Sequence, residues 1–191
     1  MRRTVISLAI FGLTLASPLA AQPRQDPASL MAAQRDAMAP LARMDGVWRG
    51  PAWSITPAGR HDITQTERVG TFLGGTVRVI EGRGYNADGT IGFNALGVVS
   101  FDPATNSYTI SSWALGRNGV FPFRVTADGY AWEVPAGPGA TIRYTATVTA
   151  DTLREVGYLS RGDAPPVQIF EMNLRRVGPT DWPGAGAIPM R

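Results

Sequence analysis

The chain has 191 residues, 44% of them hydrophobic, which is too apolar for a disordered chain and enough for one ordinary core. It has no cysteine, one histidine and no lysine, so disulfides, thiolate or iron–sulfur centres, multi-histidine metal sites and Schiff-base chemistry are excluded. The formal charge of +3 rests on 18 arginines. They are scattered along the chain apart from Arg175-Arg176, without the basic stripe or aromatic platform that nucleic-acid binding needs.

Residues 1–21 carry the three parts of an export signal. Arg2-Arg3 form a charged start, Val5 to Leu15 an apolar stretch, and Ser17-Pro18-Leu19-Ala20-Ala21 a small-residue end before Gln22. Removal of this segment leaves about 170 residues and a net charge near +1. The remainder is expected to be periplasmic or secreted, since no later apolar run approaches the roughly 20 residues of a membrane span. Residues 22–44 are read as a polar leader followed by a short helix. Asp26 or Ser29 caps it, Pro40 interrupts it, and Met31, Met38, Leu41 and Met44 mark one face at helical spacing.

From Gly46 the pattern changes to short alternating segments with a turn signal about every ten residues. Strands are predicted near 46–55, 60–71, 74–85, 90–101, 106–114, 119–126, 129–134, 140–149, 152–160 and 166–177. Asn86-Ala87-Asp88-Gly89, Asp102 to Asn106, Arg117-Asn118-Gly119 and Ala127-Asp128-Gly129 supply turn residues between them. Loops this short force antiparallel neighbours. The expected fold is therefore all-β: an up-and-down barrel of about ten strands over residues 45–177, closed to remove its edges, with a short N-terminal helix. Residues 178–191, rich in Pro and Gly, are expected to be unstructured.

Alternation assigns Phe93, Val99 and Phe101, then Phe121, Phe123 and Val125, then Tyr130 and Trp132, then Ile142, Tyr144 and Val148 to inward stripes. Ten strands enclose more space than side chains from eight strands fill, so a cavity is expected. Trp48, Glu67, Glu81, Phe93, Trp113, Phe123, Trp132 and Tyr144 are the candidate ligand-contacting residues, with Trp53, Phe121 and Tyr130 as further aromatic lining. Glu67 alternates with Ile63, Gln65 and Val69. Glu81 shares a face with Val77, Val79, Arg83 and Tyr85. Glu171 and Arg124 are further polar candidates, and Glu171 is solvated if the apolar face of its strand points inward.

Met44-Asp45-Gly46-Val47-Trp48-Arg49-Gly50, with Gly-x-Trp opening the first strand after a helix, resembles the calycin superfamily of lipocalin-like barrels. With Thr66-Glu67-Arg68, Phe72-Leu73-Gly74-Gly75, Glu81 to Tyr85 and Phe101 to Tyr108, residues 41–177 look like the uncharacterised DUF1579-type calycin-like proteins. The resemblance implies a closed barrel with a central cavity and no assigned activity. It also implies that Gly46 and Trp48 close one end, the tryptophan stacked beneath Arg175 or Arg176. The neighbouring nitrobindins hold haem on a late histidine. Here the late strand, Phe170 to Arg176, has none, and His61 lies at the start of the second strand, so no haem or other cofactor is expected.

No nucleophile elbow, HExxH, Walker loop or dinucleotide fingerprint is present. Three functions remain. The first is an exported barrel binding a small, mainly apolar ligand in its cavity. The second is an envelope protein docking a partner through the barrel surface or the N-terminal helix. The third is an enzyme using inward Glu67 or Glu81. No metal site is expected, and oligomeric state is left open.

Overall fold

A computed structural model describes residues 26–183. The proposed signal at 1–21 and the last residues of the tail lie outside them. Asp26 caps the first helix by accepting from the Ser29 backbone N–H, with Pro27 in the first turn where its missing donor costs nothing. This helix, α1 (Pro27–Met38), runs into a 3-10 segment, Ala39–Met44, that begins just before Pro40.

Ten strands follow: β1 (Gly46–Thr56), β2 (Gly59–Phe72), β3 (Val77–Tyr85), β4 (Ile91–Asp102), β5 (Ser107–Ala114), β6 (Arg117–Val125), β7 (Gly129–Pro135), β8 (Ala140–Val148), β9 (Thr152–Arg161) and β10 (Val167–Gly178). Each pairs antiparallel with its sequence neighbours, and β1 also pairs with β10, so the sheet is a closed up-and-down barrel. Register shifts at Val47/Trp48, Gly84/Tyr85 and Gln168/Phe170 bend individual strands. The fold expected from the turn spacing is the fold observed. Among the described residues no helix is long and apolar enough to cross a membrane.

The two ends of the barrel differ. At the end where β1 begins and β10 finishes, α1 and the 3-10 segment form a plug. Met38, Leu41 and Met44 are buried against Trp48, Val69, Leu153 and Leu174. The plug is bolted by polar contacts that the hydrophobic pattern does not reveal. Arg78, 2% exposed, points inward from β3, bonds both Asp45 carboxylate oxygens at 2.7 and 2.9 Å, and donates to the Met38 carbonyl at 2.9 Å. Tyr108 donates its hydroxyl hydrogen to the Ala37 carbonyl at 2.7 Å, and Gln34 donates to the Phe101 carbonyl.

Trp48 is completely buried, its indole N–H bonded to the Met44 carbonyl at 2.9 Å. The Arg176 guanidinium lies 3.9 Å from its ring centroid and donates to the carbonyls of Asp45, Arg43 and Ala150. Of the two C-terminal arginines, Arg176 is the one over the tryptophan. Arg175 occupies the opposite face of β10 and is exposed. Gly46, at φ +151°, leaves the space that the Arg176 guanidinium fills: a Cβ there would stand 2.3 Å from Arg176 Nη1.

The tail is ordered as far as it is described. Trp182 meets Phe72 edge-on at 5.6 Å and lies under Arg68, which also pairs with Asp181 at 3.2 Å. This segment covers Gly70, where a Cβ would collide with Trp182 at 2.6 Å. In this segment an aromatic ring packed against bare glycine backbone offsets part of the ordering cost.

Candidate functional site

The end opposite the plug is where β2, β4, β6, β8 and β10 begin. The inward positions here are Ile63 and Gln65 from β2, Phe93 from β4, Phe121 from β6, Trp132 from β7, Tyr144 from β8 and Phe170 from β10. Deeper, toward the plug, are Glu67 of β2, which pairs with Trp48, and Glu155 of β9, which pairs with Met172 and Ala146. Side chains around Trp48 are sealed, whereas Ile63, Phe93, Phe121, Trp132, Tyr144 and Phe170 keep part of their surface open. Glycines at inward positions let neighbouring side chains lie close against the wall: a Cβ at Gly84 would meet Ile63, Phe93 and Gln65. Gly82 leaves space for the ends of Gln65 and Glu67, with a would-be Cβ 3.0 Å from Gln65 Nε2 and 3.5 Å from Glu67 Oε1.

Two carboxyl groups face this interior, close enough that the charge of Glu155 acts on Glu67. Glu155, 6% exposed, accepts from the Trp132 indole N–H at 2.7 Å and from the Tyr130 hydroxyl at 3.1 Å. Glu67 has only a long contact of 3.5 Å from the Gln65 amide. Neither touches an arginine: inward Arg78 and Arg176 are both committed to the plug.

Their protonation follows from that isolation. Burial is the leading cause that pushes Glu67 up to about 8, and the neighbouring Glu155 charge adds to it. Burial likewise pushes Glu155 up to about 7, resisted by the Trp132 and Tyr130 hydrogen bonds. Tyr144 rises to about 12 and Tyr130 well above its ordinary value, each mainly from burial with the Glu155 charge assisting. Burial thus disfavours the charged form of both groups, and a carboxyl raised toward neutral pH is able to donate or accept a proton there.

The aromatic walls stack in sequence. Trp132 and Tyr144 are parallel at 4.5 Å, with Phe121 6.2 Å from Trp132 and Phe170 edge-on to Tyr144 at 5.7 Å. Phe123 stacks on Tyr130 at 5.3 Å, nearer the plug, and is fully buried in the core. Trp48, expected among the ligand contacts as well as at the closed end, is sealed in the plug, where it is the β1 neighbour of Glu67.

Three expected lining residues face the other way. Glu81 lies on the outer wall of β3, paired with Arg83. Trp113 is 46% exposed on the outer wall of β5, and Trp53 stands outside β1 beneath Arg60. The reason for Glu81 is that β3 is inverted relative to its hydrophobicity. Val77 and Val79 face outward so that Arg78 can reach the plug and glycines 82 and 84 can face the crowded interior. Glu171 is outside, held ionised first by Asn173 and then by Arg154 against modest burial, and also bonded by Gln168. Arg124 is outward and exposed.

Glu155 was not among the sequence candidates. It alternates with Leu153 and Gly157 on β9, so the signal was present in the period-two pattern. Open depressions on the outer wall, one along Thr66, Arg68, Glu81, Arg83 and Tyr85 and another along Glu133, Thr141, Arg143 and Tyr158, are lined by surface ion pairs. His61 reaches Asn86 Oδ1 at 3.0 Å at the rim. Among the described residues no three His, Asp or Glu side chains converge as a metal-ligand set.

No protein-family profile matches the chain, and no curated protein sequence matches it. A solved structure does. The crystal structure of Rv2717c from M. tuberculosis superposes with a TM-score of 0.53 at 14% identity, over 75% of this chain and 96% of that one. The likeness is one of fold. It spans nearly all of Rv2717c, so the barrel is the shared unit, and the plug, carboxyl pair and docked tail are described from this chain's own residues.

Proposed function

We propose that this chain is an exported, calycin-like barrel, akin to the DUF1579-type proteins, that binds a small, mainly apolar molecule through the end opposite the plug. The observation that carries this reading is the contrast between the ends. One is sealed by Met38, Leu41, Met44 and Trp48, while the aromatic rings at the other retain open surface. An apolar lining with a few convergent polar groups is the usual composition of a small-molecule site. Tryptophan and arginine closing the far end support the calycin-like kinship.

Native mass spectrometry with an absorbance spectrum, on the protein purified from a periplasmic host, tests the reading. A reproducible added mass lost on denaturation is expected. An added mass that survives replacement of the interior aromatics Phe121 and Trp132 by alanine in a still-folded chain contradicts it.

A second reading, docking of a protein partner on the barrel surface, is favoured by one observation. Leu96 pairs directly with Trp113 on the outer wall, and both are exposed, as are Leu115 and Val120 nearby. The helix-borne version loses its basis, because Met38 and Leu41 are buried in the plug and only Met31 remains exposed. Retention of a partner by the native chain and its loss in Trp113→Ala distinguishes the two readings.

A further inference from the structure

Resting on the ligand-binding reading, the chemistry of the interior narrows the class of ligand. We propose that the barrel takes an apolar amine, its protonated nitrogen seated at Glu67 and Glu155 and its apolar body against Trp132, Tyr144, Phe121 and Phe93.

The first ground is the donor–acceptor balance. The interior donors Tyr130 O–H and Trp132 N–H are already spent on Glu155. What remains without a side-chain partner among the described residues is the Tyr144 hydroxyl and the second Gln65 N–H as donors, against Gln65 Oε1, the Tyr144 oxygen and, once Glu67 is ionised, its carboxylate as acceptors. No donor reaches the Gln65 side-chain oxygen, which lies beside the Gly84 backbone and keeps some accessible surface, since among the described residues no fully buried side-chain nitrogen or oxygen lacks a partner. Glu67 has one oxygen with no partner, and the Tyr144 hydroxyl has none. With Glu67 ionised the acceptors exceed the donors, so a ligand that completes the set brings N–H or O–H groups, and an ammonium brings up to three.

The second ground is charge. Two carboxyl groups face one interior with no arginine in contact, so each is an anion-in-waiting whose ionisation is suppressed for want of a cation. A ligand cation supplies the missing partner. The stacked Trp132–Tyr144 pair and Phe121 offer ring faces that also attract a cation. The titratable groups facing the site from the surrounding strands are Glu67, Glu155, Tyr130 and Tyr144, with His61 at the rim.

The proton balance follows. A protonated amine entering a site whose carboxyls are partly neutral displaces a carboxyl proton to solvent, so R–NH3+ plus the neutral acid gives the ion pair plus H+. Affinity for the amine then rises with pH between about 6 and 8, by up to about tenfold per unit for one proton released. A neutral ligand gains nothing from that rise.

The experiment uses three probes with one apolar body: 2-phenylethylamine, 2-phenylethanol and 3-phenylpropanoate. Binding to the full chain is measured by calorimetry at pH 6, 7 and 8, in two buffers of different ionisation enthalpy to count protons. The proposal expects the amine to bind at least about tenfold tighter than the alcohol at pH 8, to release close to one proton at pH 6 and fewer as the pH approaches 8, and to bind more weakly in Glu67→Gln and Glu155→Gln. Glu67→Gln guards against a folding defect in the other variant, because Glu67 makes no short hydrogen bond, and outer-wall Glu81→Gln should bind like the native chain. Equal or tighter binding of the alcohol or the carboxylate overturns the amine inference and leaves the ligand-binding reading standing. No binding of any probe to millimolar concentration overturns both.

Discussion

Replacing Asp45 with asparagine removes the only carboxylate among the described residues that contacts Arg78, while keeping the side chain's shape. Arg78 is 2% exposed and sits at the junction of β3, the plug and the start of β1, so its charge has no other anion to meet. Leaving a buried charge without its partner costs about 3–5 kcal/mol. Asp45 itself keeps 28% of its side-chain surface in water, which places the expected loss at the lower end, about 3 kcal/mol. For a domain of this size that corresponds to a fall in Tm of roughly 10 °C. Urea denaturation followed by tryptophan fluorescence gives the loss directly, and amide exchange should show α1 losing protection before the strands. Arg78→Met, with a side chain of similar length and no charge, provides the cycle: the double variant should be clearly more stable than the two single losses added together. A loss below about 1 kcal/mol in Asp45→Asn with additive behaviour in the cycle would refute the assignment of Arg78 as the bolt of the plug.

The remaining predictions concern pH, the closed end and strand contact. Glu67 and Glu155 are raised in the folded chain to about 8 and about 7, so the folded state binds more protons than the unfolded one from about pH 4.5 upward. Stability is fully present below that range and declines as pH rises through 7 to 8. Glu155 alone accounts for on the order of 3 kcal/mol, and denaturation midpoints for Glu155→Gln should fall less steeply over the same window. Trp48→Phe loses the hydrogen bond to Met44 and most of the Arg176 stacking, for an expected cost of about 2–4 kcal/mol in chemical denaturation. At Gly50 a Cβ would stand 2.1 Å from the Asn173 carbonyl oxygen of β10. Gly50→Ala should therefore destabilise by at least about 1–3 kcal/mol by the same assay, since backbone must move.

Much of the fold was legible because meanders are local. Short polar turns join segments of period two, and each strand pairs with the next, so the ten strands and their order follow from neighbours alone. The inward stripes of β6, β7 and β8 were legible for the same reason, and Glu67 was placed correctly by its alternation with Ile63 and Val69. What escaped were contacts set by distant parts of the chain. On β3, valines at 77 and 79 looked like the inward set, yet the plug needs a cation at 78 to hold Asp45 and the Met38 carbonyl. Glu81 and Trp113 were assigned by residue type to a lining that their strand parity denies them. Glu155 went unnoticed because a single acid between Arg154 and Val156 looks like surface, although Tyr130 and Trp132 had to bond something inside. The tail's docking depends on Gly70 leaving bare backbone for Trp182, a pairing across more than a hundred residues that no local pattern encodes.

The most direct test of an accessible barrel interior is titration with the neutral fluorescent probe N-phenyl-1-naphthylamine, observed by energy transfer from tryptophan. The native chain and Trp113→Ala, which changes only the outer wall, should each bind one equivalent. Ala95→Phe, which fills the inward face between Phe93 and Gly97, should abolish binding while the chain stays folded. Unchanged binding in Ala95→Phe, or its loss in Trp113→Ala, would put the probe on the outer wall and contradict a ligand site inside the barrel.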